Sequence, residues 1–307
     1  MSAEKRVPVT QDIDGEACFM CYDPVLYRQV PSFEPREGDI IQVSFPRSGS
    51  HWIQQILQLI LNSGESAESY VDFAKKAPYL ENRVPDGMES PRLLRTHFSM
   101  DRIKVDPKAK YLYVARNPLD CCVSCYHYVR EIPVCKFQDG TFDEFLDAFL
   151  EGNSSFGDFF DHVLSGYRRR KERNVFFVTY EELQRDKKGS ILKLARFLGE
   201  DYEEMLKNRG DILQSILEKS STVFMKDLMK TTPKEMREVL MKASLQAPPL
   251  EESGEDKGYD STTINIVRQG GVGGWRKYFS EDGIQKMRAK IDENIRKYDI
   301  MSHWEDI

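Results

Sequence analysis

The chain has 307 residues, 40% of them aliphatic, aromatic or Cys, with 44 Lys and Arg against 50 Asp and Glu and a formal charge of −6. That composition belongs to an ordinary soluble globular protein of one or two domains. Charges of both signs mix along the chain, which excludes the broad basic surface of a non-specific nucleic-acid binder, and no apolar run approaches the ~18 residues of a membrane span.

The first 30 residues read as an N-terminal arm. Its opening, MSAEKRVPVTQDIDGEACFM, is charged throughout and lacks the apolar core of a secretory signal. Cys18 and Cys21 make one C-x-x-C and Cys122 and Cys125 a second, the number that a four-thiolate metal site requires. Apolar and aromatic neighbours surround both pairs, so they read instead as small buried hydrophobes of a cytoplasmic protein. Six cysteines at irregular spacing do not make a disulfide scaffold.

Short β-rich runs then alternate with helical patterns. Asp39–Phe45, Arg92–Arg95, Lys110–Ala115 and Asn174–Thr179 suit buried strands. Ile53, Ile56, Leu57 and Ile60 recur at helical spacing, as do Ile191, Leu192, Leu194, Ala195 and Leu198. The alternation predicts an α/β fold, a single domain over residues 1–307 with a central parallel sheet flanked by helices. Residues 246–261, with a Pro pair, clustered acidic residues and no periodicity, read as a mobile loop. Ligands of such sheets bind beyond the carboxyl ends of the strands. That directs attention to residues 45–52, 96–98, 116–124 and 180–182.

After the first of these runs comes Pro46-Arg47-Ser48-Gly49-Ser50-His51-Trp52, opening an amphipathic helix. A tight turn, unpaired first-turn N–H groups and the helix dipole suit an anion, to which Arg47 adds a full charge. The Walker A pattern is absent, which disfavours an ordinary P-loop NTPase. A plainer reading has Ser50 capping the helix and Arg47 solvated.

SFPRSGSHW closely resembles the TYPKSGTTW loop of the cytosolic sulfotransferases, which holds the 5′-phosphosulfate of 3′-phosphoadenosine 5′-phosphosulfate (PAPS). Arg47 stands where that family has Lys and His51 where it has Thr; Ser48, Gly49, Ser50 and Trp52 keep the pattern or a close substitute. RLLRTHFSM resembles LLKTHLP, which implies that His97 is the general base, an imidazole titrating near ~6.5. Arg95 occupies a family Lys position and would assist at the sulfonyl oxygens. YVARNPLDCCVSCYHY resembles YVARNAKDVAVSYYHF, which places Arg116 and Ser124 on the donor's 3′-phosphate. FFVTYEEL and SSTVFM resemble adenine-side segments and offer Tyr180, Thr222 and Phe224. VRQGGVGGWR resembles RKGxxGDWK, the loop that closes over the 3′-phosphate, through Arg268, Gln269 and Gly270. Gln269 replaces a Lys and Gly274 an Asp, so the loop loses charge and gains freedom. Tyr79 and Tyr128 align with an aromatic gate of the acceptor pocket and read equally well as core.

The resemblance runs from about Asp39 to Phe279 and implies a PAPS-dependent sulfotransferase. PAPS is the donor, 3′-phosphoadenosine 5′-phosphate (PAP) the product, and the acceptor a small hydroxyl or amine compound such as a phenol, monoamine or steroid. No metal is required, since cationic side chains and helix-terminal amides can neutralise the charge. The alternatives are a nucleotide kinase or NTPase of related fold, and a catalytically weak PAPS-binding regulatory protein. Arg276, Ser280, Glu281 and Gln285 fall at the positions of the family's KxxxTVxxxE dimer segment, where the apolar Val has become Glu. A monomer, or a dimer through another surface, is expected, with no nucleic-acid or membrane partner.

Overall fold

A computed structural model of the chain describes residues 6–20, 22–241, 263–295 and 298–304. Cys21 and the acidic loop expected over 246–261 lie outside the described residues. Eight strands are described: β1 (Thr10–Ile13), β2 (Glu16–Phe19), β3 (Ile40–Val43), β4 (Leu93–Thr96), β5 (Lys110–Ala115), β6 (Val175–Thr179), β7 (Lys230–Thr231) and β8 (Ile264–Asn265).

β3 to β6 form one parallel sheet in the order β4-β3-β5-β6. They are the four runs marked by their apolar β-branched and aromatic residues, each beginning or ending within two residues of the expected limits. Burial explains the sequence pattern: every residue of β3 and β4 is buried, so these strands carry no polar face toward solvent. The residues that lead into β3 and β4 are tied together: Arg92 Nε and Nη2 reach the two oxygens of Asp39 at 2.7 and 2.6 Å in a buried fork.

One face of the sheet is covered by the helix Ser50–Leu61, which presents Ile53, Ile56, Leu57 and Ile60, together with Lys187–Leu198 and Gly210–Lys219. The other face carries Pro118–Glu131, Phe142–Leu150, Phe159–Arg168 and Glu281–Ile295 around a larger aromatic core. From β3 the chain moves to β4 on one side, then crosses back to β5 on the other. The sheet therefore changes direction between β3 and β5, and their carboxyl ends open a crevice there.

The N-terminal arm has more structure than its sequence reading assigned. β1 and β2 form an antiparallel hairpin across Asp14 (φ 58°) and Gly15 (φ 87°), the two left-handed residues of a tight Asp-Gly turn. Among the described residues no helix is long and apolar enough to cross a membrane.

Candidate active site

The segment after β3 turns sharply before its helix. Arg47 has φ 66° and Gly49 φ 104°, and a Cβ at Gly49 would lie 2.8 Å from Cδ2 of Tyr180, so only glycine fits beneath that ring. Gly49, not Ser50, is the N-cap, and no side chain caps the helix. The first helical bond runs from Trp52 N–H to Gly49 C=O at 3.0 Å, which leaves the Ser50 and His51 amides ahead of it at the positive end of the dipole. The Ser48 amide is spent on Phe45 C=O at 3.2 Å, and its buried hydroxyl lies 3.7 Å from Cys121 Sγ. Ser48 therefore supports the turn from below and is absent from the cavity wall.

That cavity measures about 390 Å³ and sits over the carboxyl ends of β3, β4 and β5. Its wall brings together Arg47, Gly49, Ser50, His51, Trp52, Tyr79, His97, Arg116, Ser124, Tyr128, Tyr180, Thr222, Arg268, Gln269 and Gly270, segments more than two hundred residues apart in sequence. Arg47 donates from Nε to Ser124 Oγ at 3.2 Å and from Nη2 to Ile266 C=O at 2.8 Å, with its guanidinium 5.0 Å from the centre of the Tyr128 ring. One cation thus joins the loop after β3 to the helix after β5. Arg116 donates to Arg47 C=O and Gly271 C=O, both at 3.1 Å, and lies 4.4 Å over the Tyr180 ring, with its Nε buried and unpartnered. Trp52 packs edge-on to Tyr180 at 5.2 Å and anchors its indole N–H on Ser220 C=O at 2.8 Å.

His97 follows β4 and is buried on the cavity wall. Its Nδ1 donates to Ser44 C=O at 2.8 Å, which fixes the tautomer with Nε2 as the unprotonated nitrogen. Burial, with help from His162, Arg95 and Arg47, pushes its pKa down to about 3. The expected titration near 6.5 is thereby corrected, because that value belongs to a solvated imidazole. Tyr79 lies against the ring at 4.7 Å between centroids, and its hydroxyl is 3.4 Å from Ser50 Oγ.

Two residues that sequence reasoning missed hold this histidine. Glu81 is fully buried and accepts the His97 backbone N–H at 2.9 Å, and burial raises its carboxyl to about 7. His162 donates from Nε2 to His97 C=O at 2.9 Å, while the Tyr113 hydroxyl lies 2.7 Å from its Nδ1. Neither carries a local motif. Phe19, Tyr22 and Asn82 also line the cavity unpredicted; the Asn82 side chain is buried with its Oδ1 unpartnered.

Besides Ser48, two expected site residues lie off the cavity wall. Arg95 is fully buried and absent from the wall: Nε donates to Ala77 C=O at 2.6 Å and the guanidinium packs 4.1 Å from the Tyr79 ring and 5.2 Å from Phe73. Arg95, at the third position of β4, thus supports the Tyr79 wall. Phe224 packs against a separate cluster and lines a neighbouring hollow with Tyr70 and Lys230. His51 faces the cavity but lies parallel to Phe73 at 5.9 Å, its Nε2 buried without a partner and its pKa held well below the usual value by burial and nearby arginines. The described cysteines are buried, and burial raises Cys18 to about 11, so that thiol is inert. Among the described residues no group of three or more His, Cys, Asp or Glu is placed to hold a metal ion.

A parallel sheet whose direction change carries an anion loop on one side and Arg116 on the other offers a phosphorylated ligand a crevice beyond the strands' carboxyl ends. The sulfotransferase domain family matches residues 37–299, and the chain belongs to the sulfotransferase family, a class of PAPS-using transferases. Sulfotransferase 1 family member D1 of Rattus norvegicus is 30% identical over 289 residues, covering 89% of this chain and 90% of the relative. Sulfotransferase 1C2 of Homo sapiens is 29% identical over 267 residues, covering 83% and 82%. Among solved structures, mouse sulfotransferase SULT7A1 complexed with PAP superposes with a TM-score of 0.69 at 24% identity, over 94% of this chain and 95% of that one. A retinol dehydratase in complex with androsterone and inactive cofactor PAP gives 0.69 at 20% identity, over 89% and 84%.

Proposed function

We propose that the protein transfers a sulfonyl group from PAPS to the hydroxyl of a small acceptor, a phenol being the class that its aromatic wall fits best. The observation that carries the reading is the single cavity that joins an anion loop, a buried neutral histidine and the Arg116, Ser124 and Arg268 group. PAPS supplies the activated sulfonyl group and leaves as PAP. The buried, unpartnered Nε of Arg116 and the glycine cradle beneath Tyr180 suit a phosphorylated nucleoside.

In this reading His97 Nε2 takes the acceptor's hydroxyl proton as the new oxygen–sulfur bond forms and the sulfur–oxygen bond to phosphate breaks. The first-turn amides and Arg47 take up the charge that grows on the departing phosphate oxygen. Arg116, Ser124 and Arg268 hold the 3′-phosphate, and Tyr180, Trp52 and Thr222 hold the adenosine side.

The acceptor lies between the tyrosines and His97. Tyr79 and Tyr128 from the body of the protein and Phe19 and Tyr22 from the N-terminal segment offer flat faces to an aromatic ring. Asn82 adds a polar group that favours an acceptor with a second hydrogen-bonding substituent. The buried cysteines suit a reducing, cytoplasmic setting.

Calorimetry tests the donor assignment. PAP should bind at least ~10-fold more tightly than AMP, because charge-assisted contacts to the 3′-phosphate have no counterpart in AMP. Equal affinity for the two nucleotides would remove the reading.

A further inference from the structure

The segment 268–276 contains four glycines, a composition that leaves a loop many conformations unless something outside holds it. Two of its backbone donors are held by one side chain. Gly273 N–H reaches Asp120 Oδ2 at 2.7 Å and Trp275 N–H reaches Asp120 Oδ1 at 3.0 Å. A third donor, Asn117 Nδ2, meets Oδ2 at 3.0 Å. Asp120 is buried in the first turn of the Pro118–Glu131 helix, where the dipole favours a negative charge.

The support continues behind it. Glu181 Oε1 accepts both the side-chain and backbone N–H of Asn117, at 2.7 and 3.1 Å, and Glu181 Oε2 takes the indole N–H of Trp304 at 2.9 Å. Arg116 ties the same loop from its other side through Gly271 C=O at 3.1 Å. Gly270 is set by shape as well: at φ 64° a Cβ there would come within 2.7 Å of Thr222 Cγ2. The freedom expected from the extra glycine is therefore removed by a buried carboxylate in a different element.

We propose that Asp120 is a positioning residue for donor selection: by fixing the Gly273 and Trp275 amides it holds Arg268 and Gly270 where they read the 3′-phosphate. The inference rests on the donor assignment made above. Asp120 borders the cavity, but it acts through the loop backbone: two of the three N–H donors on its oxygens are loop amides.

The test is nucleotide selectivity in Asp120→Asn, which keeps the side-chain shape but offers a single acceptor oxygen and turns an N–H group toward another donor. Calorimetry on the purified full chain should show the PAP-over-AMP preference falling at least fivefold, with AMP affinity within twofold of wild type. A folded variant that keeps its preference within twofold overturns the proposal, and so does one that loses both affinities equally, as a merely structural role would produce. Should the variant fail to fold, amide exchange on the wild-type chain decides: Gly273 and Trp275 are expected to be protected like the neighbouring helix, and exchange at open-loop rates overturns the proposal. Failure of the donor assignment itself is distinguishable, because wild type would then show no preference for PAP over AMP.

Discussion

A base must be unprotonated to act, and His97 meets that condition by burial and tautomer fixing more than by its ordinary basicity. Burial penalises the imidazolium, so the folded-state pKa lies below the solution value and the neutral form persists as pH falls, until pH nears about 3. In the free enzyme no loss of base is due between pH 5.5 and 8 on the acid side. We predict that the acceptor kcat/KM shows no inflection near ~6.5, the solvated-histidine value, and that His97→Ala lowers kcat by ~100- to 10,000-fold with PAP affinity little changed. An inflection at the solvated value, or a mutant with most of its rate, would reassign the base.

The element that concentrates the chemistry is the turn between β3 and its helix, and of its two departures from the family pattern, Arg47 and His51, Arg47 is the one that carries charge. Lys is a compact charge that can donate a proton when its pKa is lowered, whereas Arg stays charged and spreads its donors. The side chain uses that fork, reaching Ser124 and Ile266 from two different nitrogens. Steady-state kinetics should show Arg47→Ala losing ~100-fold or more in kcat, the scale of a removed transition-state donor. Arg47→Lys should stay within ~10-fold of wild type, because the charge remains and Gly49 still sets the turn. A Lys variant as poor as the Ala variant would show that the fork, not the charge, matters.

The same element shows what a sequence can disclose. Gly49 and the strand before it were legible because a tight turn and a doubly buried strand each need particular residue types in adjacent positions. The β1–β2 hairpin also had its signal, Asp14-Gly15 between short runs, which the surrounding charges obscured. Glu81, His162 and Asn82 had none, because each acts on the site from a separate segment brought close only by packing. Arg95 lies off the cavity wall while His97 lies on it, because strand alternation directs residues two apart to one side only while the strand lasts, and β4 ends at Thr96.

At the scale of the molecule, the direction change of a four-stranded sheet brings the anion loop, His97 and Arg116 to one crevice, and the loop held by Asp120 borders it. The N-terminal segment adds Phe19 and Tyr22 to the cavity wall, so in the proposed reading acceptor choice draws on the regions least like the family and donor binding on the most alike. Ser280 is committed to the following helix, accepting Gly283 N–H on its hydroxyl at 3.1 Å and Ile284 N–H on its carbonyl at 2.9 Å. Sulfonyl transfer is tested most directly by incubating the protein with PAPS and a panel of phenols, amines and alcohols and detecting products by mass. An acceptor heavier by one sulfonyl group is expected, formed together with PAP, and most readily from a phenol with a second hydrogen-bonding substituent. Tight PAP binding with no sulfated product from any class would contradict it and leave a nucleotide-binding protein without turnover.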